Sequence, residues 1–165
     1  MSATVTHPDV ATDRLMQVLA GDSILMNIEV TMLNSLGTLE QRKIQGVYYI
    51  TAPQEPNNVY PCVIINAPIL HDSSYNKSPN APQEIGISDF LQTVRFAFRD
   101  VEPDDAKARE MRARGTEILP GLTVTSDGWI CSFSFREWLV DKRQDNGTYI
   151  YSEIGFKVLG CVNRI

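Results

Sequence analysis

The spacing of apolar residues changes several times along this chain, and near the start it has a helical period. The apolar face of this short first helix consists of Leu15, Met16, Val18 and Leu19. Thr12 or Asp13 is the predicted cap and Gly21 the predicted end, and residues 1–11 are expected to form a loose segment. Between Ile24 and Leu39 helical and strand periods compete, so the type of that segment stays open.

Strand-like periods begin after Gly46. The stretch VYYI (47–50) predicts a short strand, and YPCVIIN (60–66) predicts a second one that is covered on both faces. The residues between them, TAPQEPNN, form a proline and asparagine loop. Residues 67–88 contain three prolines and almost no apolar period. We therefore predict a long exposed loop there, of a length that usually serves binding.

The stretch FLQTVRFAFR (90–99) alternates as a strand with one strongly apolar face. That face carries Phe90, Val94, Phe96 and Phe98, together with Gln92. Past an acidic stretch, a stripe with helical spacing comprises Ala108, Met111, Gly115, Ile118 and Leu119. We expect this amphipathic helix to begin near Pro103 and to end at Pro120-Gly121.

The last third of the chain predicts a long hairpin. Two runs, TVTSDGWICSFSFREWLVDKR and TYIYSEIGFKVLGCV, flank Asp145-Asn146-Gly147, and Asn-Gly between alternating runs is the strongest short-range hairpin signal. One run places Cys131, Phe133 and Phe135 on a common face, and the other does so with Ile150, Ile154, Phe156 and Val158. The element order lacks repeated strand–helix–strand crossovers. We predict a single α+β domain over residues 1–165, a mainly antiparallel β-sheet packed by one or two α-helices.

Composition and charge fit an ordinary globular domain. Of the 165 residues 43% are hydrophobic and 21% charged, and 15 basic against 20 acidic side chains give a net charge of −5. That balance gives no general attraction to nucleic acid or anionic membranes. The one dense basic group, Lys107, Arg109, Arg112 and Arg114, is mixed with acids on the predicted helix, and a solvated or partner-facing surface is the preferred interpretation.

Targeting signals and cysteines suggest where the protein acts. The amino terminus lacks the basic and apolar regions of a signal peptide, and no apolar stretch reaches the length of a membrane span. Cys62, Cys131 and Cys161 are odd in number and lie in apolar runs without a CxxC motif, which favours reduced, buried thiols. We expect a protein that works inside a cell or in a particle assembled there.

The acidic cluster at the strand-to-helix junction is the main candidate for chemistry. It contains Asp100, Glu102, Asp104 and Asp105. Neighbouring helical residues diverge by about 100°, so Asp104 and Asp105 do not converge on one ion. Acids and a proline are also favoured in the first turn of any helix. We expect no catalytic, metal or cofactor site, and keep a small metal-dependent hydrolase using Asp100, Asp104 and Asp105 as the alternative.

Two other groups of residues are weaker candidates for sites. The loop sequence His71-Asp72-Ser73-Ser74 contains the residue types of a catalytic triad, but triad members come from separate elements, so adjacency is poor evidence. Trp129, Trp138 and several tyrosines could stack on bases, yet the same strands lack interleaved basic residues. Sheet and interface positions are the preferred interpretation of these aromatic residues.

The order of elements resembles a known family. A short first helix, then VYYITAPQEPNNVYPCVIIN, then TVRFAFRD leading into DDAKAREMRARG, and a long hairpin ending in YSEIGFKV are similar to the tail terminator, or tail-completion, proteins of long-tailed phages. The resemblance covers about residues 12–160 and includes no catalytic or ligand motif. The segment 24–39 and the loop 67–88 are longer than in compact members of that family.

The resemblance implies a structural virion protein rather than an enzyme. It implies a homo-oligomeric, six-fold ring on the head-proximal end of the tail tube, in contact with tube and sheath proteins and with a neck or head-completion protein, assembled in the host cytoplasm. Another neck, head-completion or baseplate adaptor is the alternative within the same particle. As contact residues, exposure favours Arg109, Arg112, Arg114, His71, Tyr75, Lys77, Asp145 and Asn146.

Overall fold

A computed structural model describes residues 7–33, 38–53, 59–70, 89–100, 105–126 and 128–164. Its helices are α1 (His7–Gly21), α2 (Ser23–Met26) and α3 (Asp105–Ile118). Its strands are β1 (Val30–Leu33), β2 (Leu39–Arg42), β3 (Val47–Tyr49), β4 (Cys62–Ile65), β5 (Ile69–Leu70), β6 (Phe90–Asp100), β7 (Thr123–Ser126), β8 (Trp129–Trp138), β9 (Lys142–Asp145) and β10 (Ile150–Arg164). None of the described helices combines the length and apolarity needed to cross a membrane.

An eight-stranded sheet forms the centre of the molecule. Its strand order is β3-β4-β6-β10-β8-β7, with β5 also paired to β6 and β9 also paired to β10. The pairing of β3 with β4 is parallel, and the other pairings described are antiparallel. β1 and β2 form a separate two-stranded sheet. The predicted α+β class, a mainly antiparallel sheet packed by helices, is confirmed.

The main core lies between the helices and one face of this sheet. Leu15 and Leu19 of α1 and Met111 of α3 are fully buried against it, as is Phe156 of β10. The predicted apolar face of β6 is confirmed, because its alternate residues from Phe90 to Phe98 are buried. Gln92 shares that face and accepts a hydrogen bond from the Thr12 hydroxyl at 2.9 Å.

The opposite face of the sheet carries a smaller core. Ala52, Cys62, Ile64 and Ala97 are buried there, and partly buried aromatic rings pack around them. All four residues of β4 are buried, so the prediction that its apolar run is covered on both faces is confirmed. Burial on both faces explains why this strand lacks alternation.

The first helix begins earlier than its apolar pattern indicates. α1 starts at His7, so the predicted loose segment is wrong for residues 7–11, while residues 1–6 lie outside the described residues. The prediction that Thr12 or Asp13 caps the helix is also wrong. Thr12 is 3% exposed and its hydroxyl is used by Gln92, a tertiary contact that the local pattern does not show. The predicted end at Gly21 is confirmed.

The segment between Ile24 and Leu39 changes type along its length. It contains the end of α2, then β1, and β2 begins at its last residue. Residues 34–37 lie outside the described residues. The helical and the strand period are therefore both present, one after the other. For this reason the sequence did not predict a single type for the segment.

The predicted loop over residues 67–88 is interrupted at its start. Ile69 and Leu70 form β5 and pair with Leu91 and Phe90 of β6, so an unbroken loop from Ala67 is wrong at this point. Two residues are too few to show a strand period, and Pro68 immediately before them favoured a loop. Residues 71–88 of the predicted loop lie outside the described residues.

The terminal hairpin is confirmed, with one addition. Asp145 of β9 lies opposite Ile150 of β10, on either side of Asn146-Gly147. The first of the two predicted runs is divided, because β7 and β8 form a hairpin of their own, with Ser126 opposite Trp129. Gly128 has a φ of 83° in that turn. The dipeptide Asp127-Gly128 in the sequence is a typical signal for a hairpin turn of this kind.

The three cysteines are free thiols. Cys62 and Cys131 are buried, as predicted, whereas Cys161 is only half-buried. Burial raises the pKa of the Cys62 and Cys131 thiols to about 12 and also raises the pKa of Cys161. Because the thiolate is the reactive species, all three are expected to react slowly in the native protein.

We expect Cys161 to be the first cysteine modified by a thiol reagent at pH 8, with Cys62 and Cys131 modified only on unfolding. Mass spectrometry of labelled peptides, with and without urea, measures this order. Cys161→Ser is expected to remove the early labelling. Labelling of Cys62 or Cys131 as fast as Cys161 in the native protein would contradict the described burial.

Candidate functional site

The strand-to-helix junction does not bring its described acids together. Asp100, at the end of β6, is 3% exposed, whereas Asp105, at the start of α3, is exposed and lies 3.6 Å from the guanidinium of Arg143. Glu102 and Asp104 lie outside the described residues. Within the part of the chain that the structure describes, no three His, Cys, Asp or Glu side chains are placed to hold a metal ion.

A cavity of about 160 Å³ lies beside this junction, between α3 and the sheet. Its charged lining comprises Asp105, Arg109, Asp141, Lys142, Arg143 and Glu153. Pockets for small-molecule ligands are usually larger, about 300–1,000 Å³. The alternating signs of these side chains are typical of a solvated cleft rather than of a site for one charged ligand.

Arg114 of α3 connects two helices. Its guanidinium donates to both carboxylate oxygens of Asp22, at 2.9 and 2.8 Å, and to Glu117 at 3.1 Å. Asp22 is the residue before α2, and its side chain also accepts a hydrogen bond from the Leu25 backbone N–H at 2.8 Å. Two-oxygen contacts of this kind fix the geometry of an arginine–carboxylate pair. The Arg114–Asp22 pair therefore fixes the start of α2 against α3.

Arg112 holds the far end of β8 against α3. Its guanidinium lies 4.5 Å from the centre of the Trp138 ring and 3.0 Å from a carboxylate oxygen of Asp141. Arg112 and Arg114, two of the predicted contact residues, therefore have partners within the chain. Arg109 is exposed on the same helix. A role for the three arginines in binding a partner stays a prediction.

The hydrogen bond from Arg114, opposed by partial desolvation and aided by the Leu25 N–H, lowers the pKa of Asp22 from its usual 3.8. A depressed folded-state pKa stabilises the protein above the unfolded value and loses this effect as the pH falls through the folded value. We expect Asp22→Asn to unfold more easily than the native chain at pH 5–8. The difference is expected to shrink as the pH falls below about 3.8 and to be lost as the pH falls through the lower folded-state pKa. Urea titrations across this pH range measure it.

Asp13→Asn provides the matched control for Asp22→Asn. Asp13 is exposed on α1, so its replacement removes one carboxylate without breaking the contact with Arg114. A free-energy difference between Asp22→Asn and the native chain that stays unchanged down to pH 2 would contradict the assigned pKa shift.

The hairpin tip is built by its own side chains. The Asp145 carboxylate accepts from the Gly147 N–H at 2.8 Å, and the Asn146 side-chain oxygen accepts from the N–H groups of Thr148 and Tyr149 at 3.0 and 2.9 Å. Gly147 has a φ of 89°, which favours glycine. Both predicted contact residues at the tip thus have a structural role, and contact with a partner stays a prediction. The remaining predicted contact residues, His71, Tyr75 and Lys77, lie outside the described residues.

The described surface exposes large apolar side chains at the β3 edge of the sheet and along the part of β8 that β7 does not cover. Two groups are defined by their place in the sheet. The β8 patch comprises Phe135 and Trp138 of β8 with Val140 just beyond it, and the β3 patch comprises Tyr49 and Ile50 at the end of β3 with Ile69 of β5, which pairs with β6 on the same side as β4. Ile24 and Leu39, outside the large sheet, are also exposed. Single exposed apolar residues are ordinary, but grouped ones mark interaction surfaces.

A bulge in β8 creates the β8 patch. The register between β8 and β10 shifts between Lys157 and Val158, so Phe135 and Trp138 both reach the Phe156 ring although they are three positions apart. Their own ring centres are 5.1 Å apart. Among the described strands, β7 pairs only with the first four residues of β8. The outer edge of β8 beyond Phe133 is therefore open.

Ile50 gives the β3 patch its shape. It has a φ of 69°, an unusual value for a β-branched residue, and its side chain is 48% exposed. Its N–H donates to the Ile65 carbonyl at 2.9 Å, and its own carbonyl accepts from Arg95 at 3.1 Å. Arg95 is held in turn by Glu153 and by the Asn66 side chain. This network stabilises a strained backbone that presents an apolar side chain to solvent.

The sequence only partly indicated these patches. The interpretation of Trp138 as a sheet and interface residue is confirmed for the sheet, because Trp138 is the last residue of β8. Its side chain is 50% exposed, and a role in an interface stays a prediction. The alternation places Phe135 on one face with Cys131 and Phe133. β7 does not extend beside Phe135, however, and the side chain is partly exposed. A positive φ at an isoleucine has no sequence signal, so the β3 patch could not be predicted.

Comparison with known proteins adds no relative to this description. No protein-family model matches the chain, and no curated protein matches it.

Proposed function

We propose that this chain is a structural virion protein, a tail terminator that forms a six-fold ring, caps the tail tube and joins it to the neck or head connector. The observation that carries the proposal is the presence of exposed apolar groups at both open edges of one sheet, the β8 patch and the β3 patch. A subunit with two such surfaces is suited to bind two neighbours.

The order of elements supports the same proposal. A first helix, a buried strand (β4), a long strand (β6) that precedes an amphipathic helix (α3), and a terminal hairpin follow one another as in the tail terminators that the sequence resembles. In the proposed ring, the subunit binds copies of itself, the tube and sheath proteins below, and a neck or head-completion protein above. These partners involve no specific recognition of nucleic acid and no membrane.

The position of the protein in the particle tests this proposal. We expect gold-labelled antibody against the chain to mark the head-proximal end of the tail, and tubes assembled without the chain to lose their uniform length. Labelling of the baseplate or of the head vertex would favour another adaptor of the same particle. Absence from the particle together with a strictly monomeric chain would reject the structural role.

The hydrolase alternative has its own test. We expect metal analysis of the purified chain to find no stoichiometric ion. We also expect Asp105→Ala, at an exposed residue, to change neither metal content nor folding. A bound ion that is lost in this variant while the fold is kept would favour the enzyme over the ring protein.

A further inference from the structure

We propose that neighbouring copies of this chain meet head to tail, with the β8 patch of one copy docked on the β3 patch of the next. Each patch is thus occupied by a second copy of the chain. The contact itself is inferred from the sheet, and only its closure into a ring rests on the proposed function.

The two patches lie at opposite ends of one row of residues across the sheet. Ile50 is hydrogen-bonded to Ile65, and Ile65 lies opposite Val94 of β6. Val94 lies opposite Phe156 of β10, and Phe156 lies opposite Trp138 of β8. From β3 to β8 there are four strand spacings, roughly 19 Å in all. The row thus begins and ends at an exposed apolar side chain.

The use of two different patches determines the kind of assembly that forms. Different surfaces on one subunit join head to tail, and the result is a closed ring or an open helical filament, depending on the operation that relates neighbours. Closure of this contact into a ring is what the proposed function requires, and electron microscopy distinguishes a ring from a filament.

Both patches also lie where the sheet has room for a neighbour. In the described part of the chain, β3 pairs with β4 alone, and β8 beyond Phe133 pairs with β10 alone. Open edges of this kind accept another chain unless they are protected. Arg136 and Glu137 on the β8 edge disfavour uncontrolled pairing and leave the apolar side chains as the binding surface.

The exposed apolar area supplies part of what a specific contact needs. With about 150–250 Å² for a whole aromatic side chain, the six patch side chains expose on the order of 600 Å². A specific interface buries about 1,600 Å² in total, of which somewhat more than half is apolar. The two patches therefore supply a large share of the apolar part of one such contact.

Two single variants and their mixture test the head-to-tail contact. Val140→Glu places a charge in the β8 patch at a side chain that is 93% exposed, and Ile50→Glu does so in the β3 patch. We expect each variant alone to lose about tenfold or more in self-association, measured by sedimentation up to about 1 mM chain. An equimolar mixture keeps one intact pair of patches per two chains, so it is expected to form dimers and no larger species.

The matched control is Ile24→Glu, because Ile24 is 59% exposed on α2 and lies outside both patches. This variant is expected to associate as the native chain does. Circular dichroism and urea unfolding establish that all variants are folded. Since Ile50 has a strained backbone, Ile69→Glu, at a side chain that is 63% exposed, serves as a second variant of the β3 patch.

Each outcome separates the contact from the proposed function. The head-to-tail contact would be overturned if either single variant associated as strongly as the native chain, or if the native chain stayed monomeric up to 1 mM. The proposed function would then be decided by the position of the protein in the particle. Loss of assembly in the single variants with dimers in the mixture supports the contact. If the protein were then absent from the phage neck, the proposed function alone would fail.

Discussion

Replacing Gly155 by alanine is expected to destabilise the protein by about 3 kcal/mol or more, because the added methyl group has no space. An ideal Cβ at this position would lie 2.1 Å from the Val94 carbonyl oxygen and 3.1 Å from the Arg95 Cα. Both atoms belong to the backbone of β6, which is paired to β10 along its length. They cannot move away without breaking the hydrogen bonds at the centre of the sheet.

Urea unfolding followed by circular dichroism measures the effect, and Gly21→Ala is the matched control. A Cβ at Gly21 meets nothing within 4 Å, so that variant is expected to change the free energy of unfolding by less than about 1 kcal/mol. A Gly155→Ala variant as stable as Gly21→Ala would show that β6 and β10 are not as close as described.

Replacing Phe156 by alanine is expected to cost about 3–5 kcal/mol, the usual range for a large buried aromatic residue. Phe156 is fully buried, and its ring contacts those of Phe96, Phe135 and Trp138. It therefore supports the β8 patch from below as well as filling the core. We expect the variant to lose self-association at chain concentrations where it is still folded.

The control for Phe156→Ala is Phe135→Ala, which removes the same ring from a side chain that is 41% exposed. Its free energy of unfolding is expected to fall by less than half as much, while self-association also weakens. Equal destabilisation by the two replacements in urea titrations would contradict the burial assigned to Phe156.

The long elements of the fold could be predicted from the sequence because their patterns are local. The alternation from Phe90 to Phe98, the helical stripe through Ala108 and Met111, and the Asn146-Gly147 turn each extend over enough residues to exclude the other period. In an element of this length, the spacing of the apolar residues follows from the one face that is buried. The strands and helix at these positions are as expected.

The errors lie where contacts distant in sequence decide the local structure. Thr12 has the character of a helix cap, but its hydroxyl bonds to Gln92, 80 residues away, from within α1. Ile69 and Leu70 become a strand only because β6 offers them a partner. Such effects appear in no window of a few residues, so the helix start and the two-residue strand could not be predicted.

The candidate surface was less predictable than the fold. Charge and expected exposure favoured Arg112 and Arg114 as contact residues. In the structure their side chains form ion pairs with Asp141 and Asp22. The apolar patches depend on a strand bulge and on the backbone of Ile50, and both require the three-dimensional pairing of strands. Interaction surfaces built this way become visible only when the sheet is assembled.

Electron microscopy of the chain mixed with tail tubes shows whether the ring forms. We expect closed rings, six-fold in projection, on one end of the tubes, and their absence with Val140→Glu or Ile50→Glu. Open filaments in place of rings, or tubes whose ends remain bare at a saturating concentration of the native chain, would contradict the proposed ring.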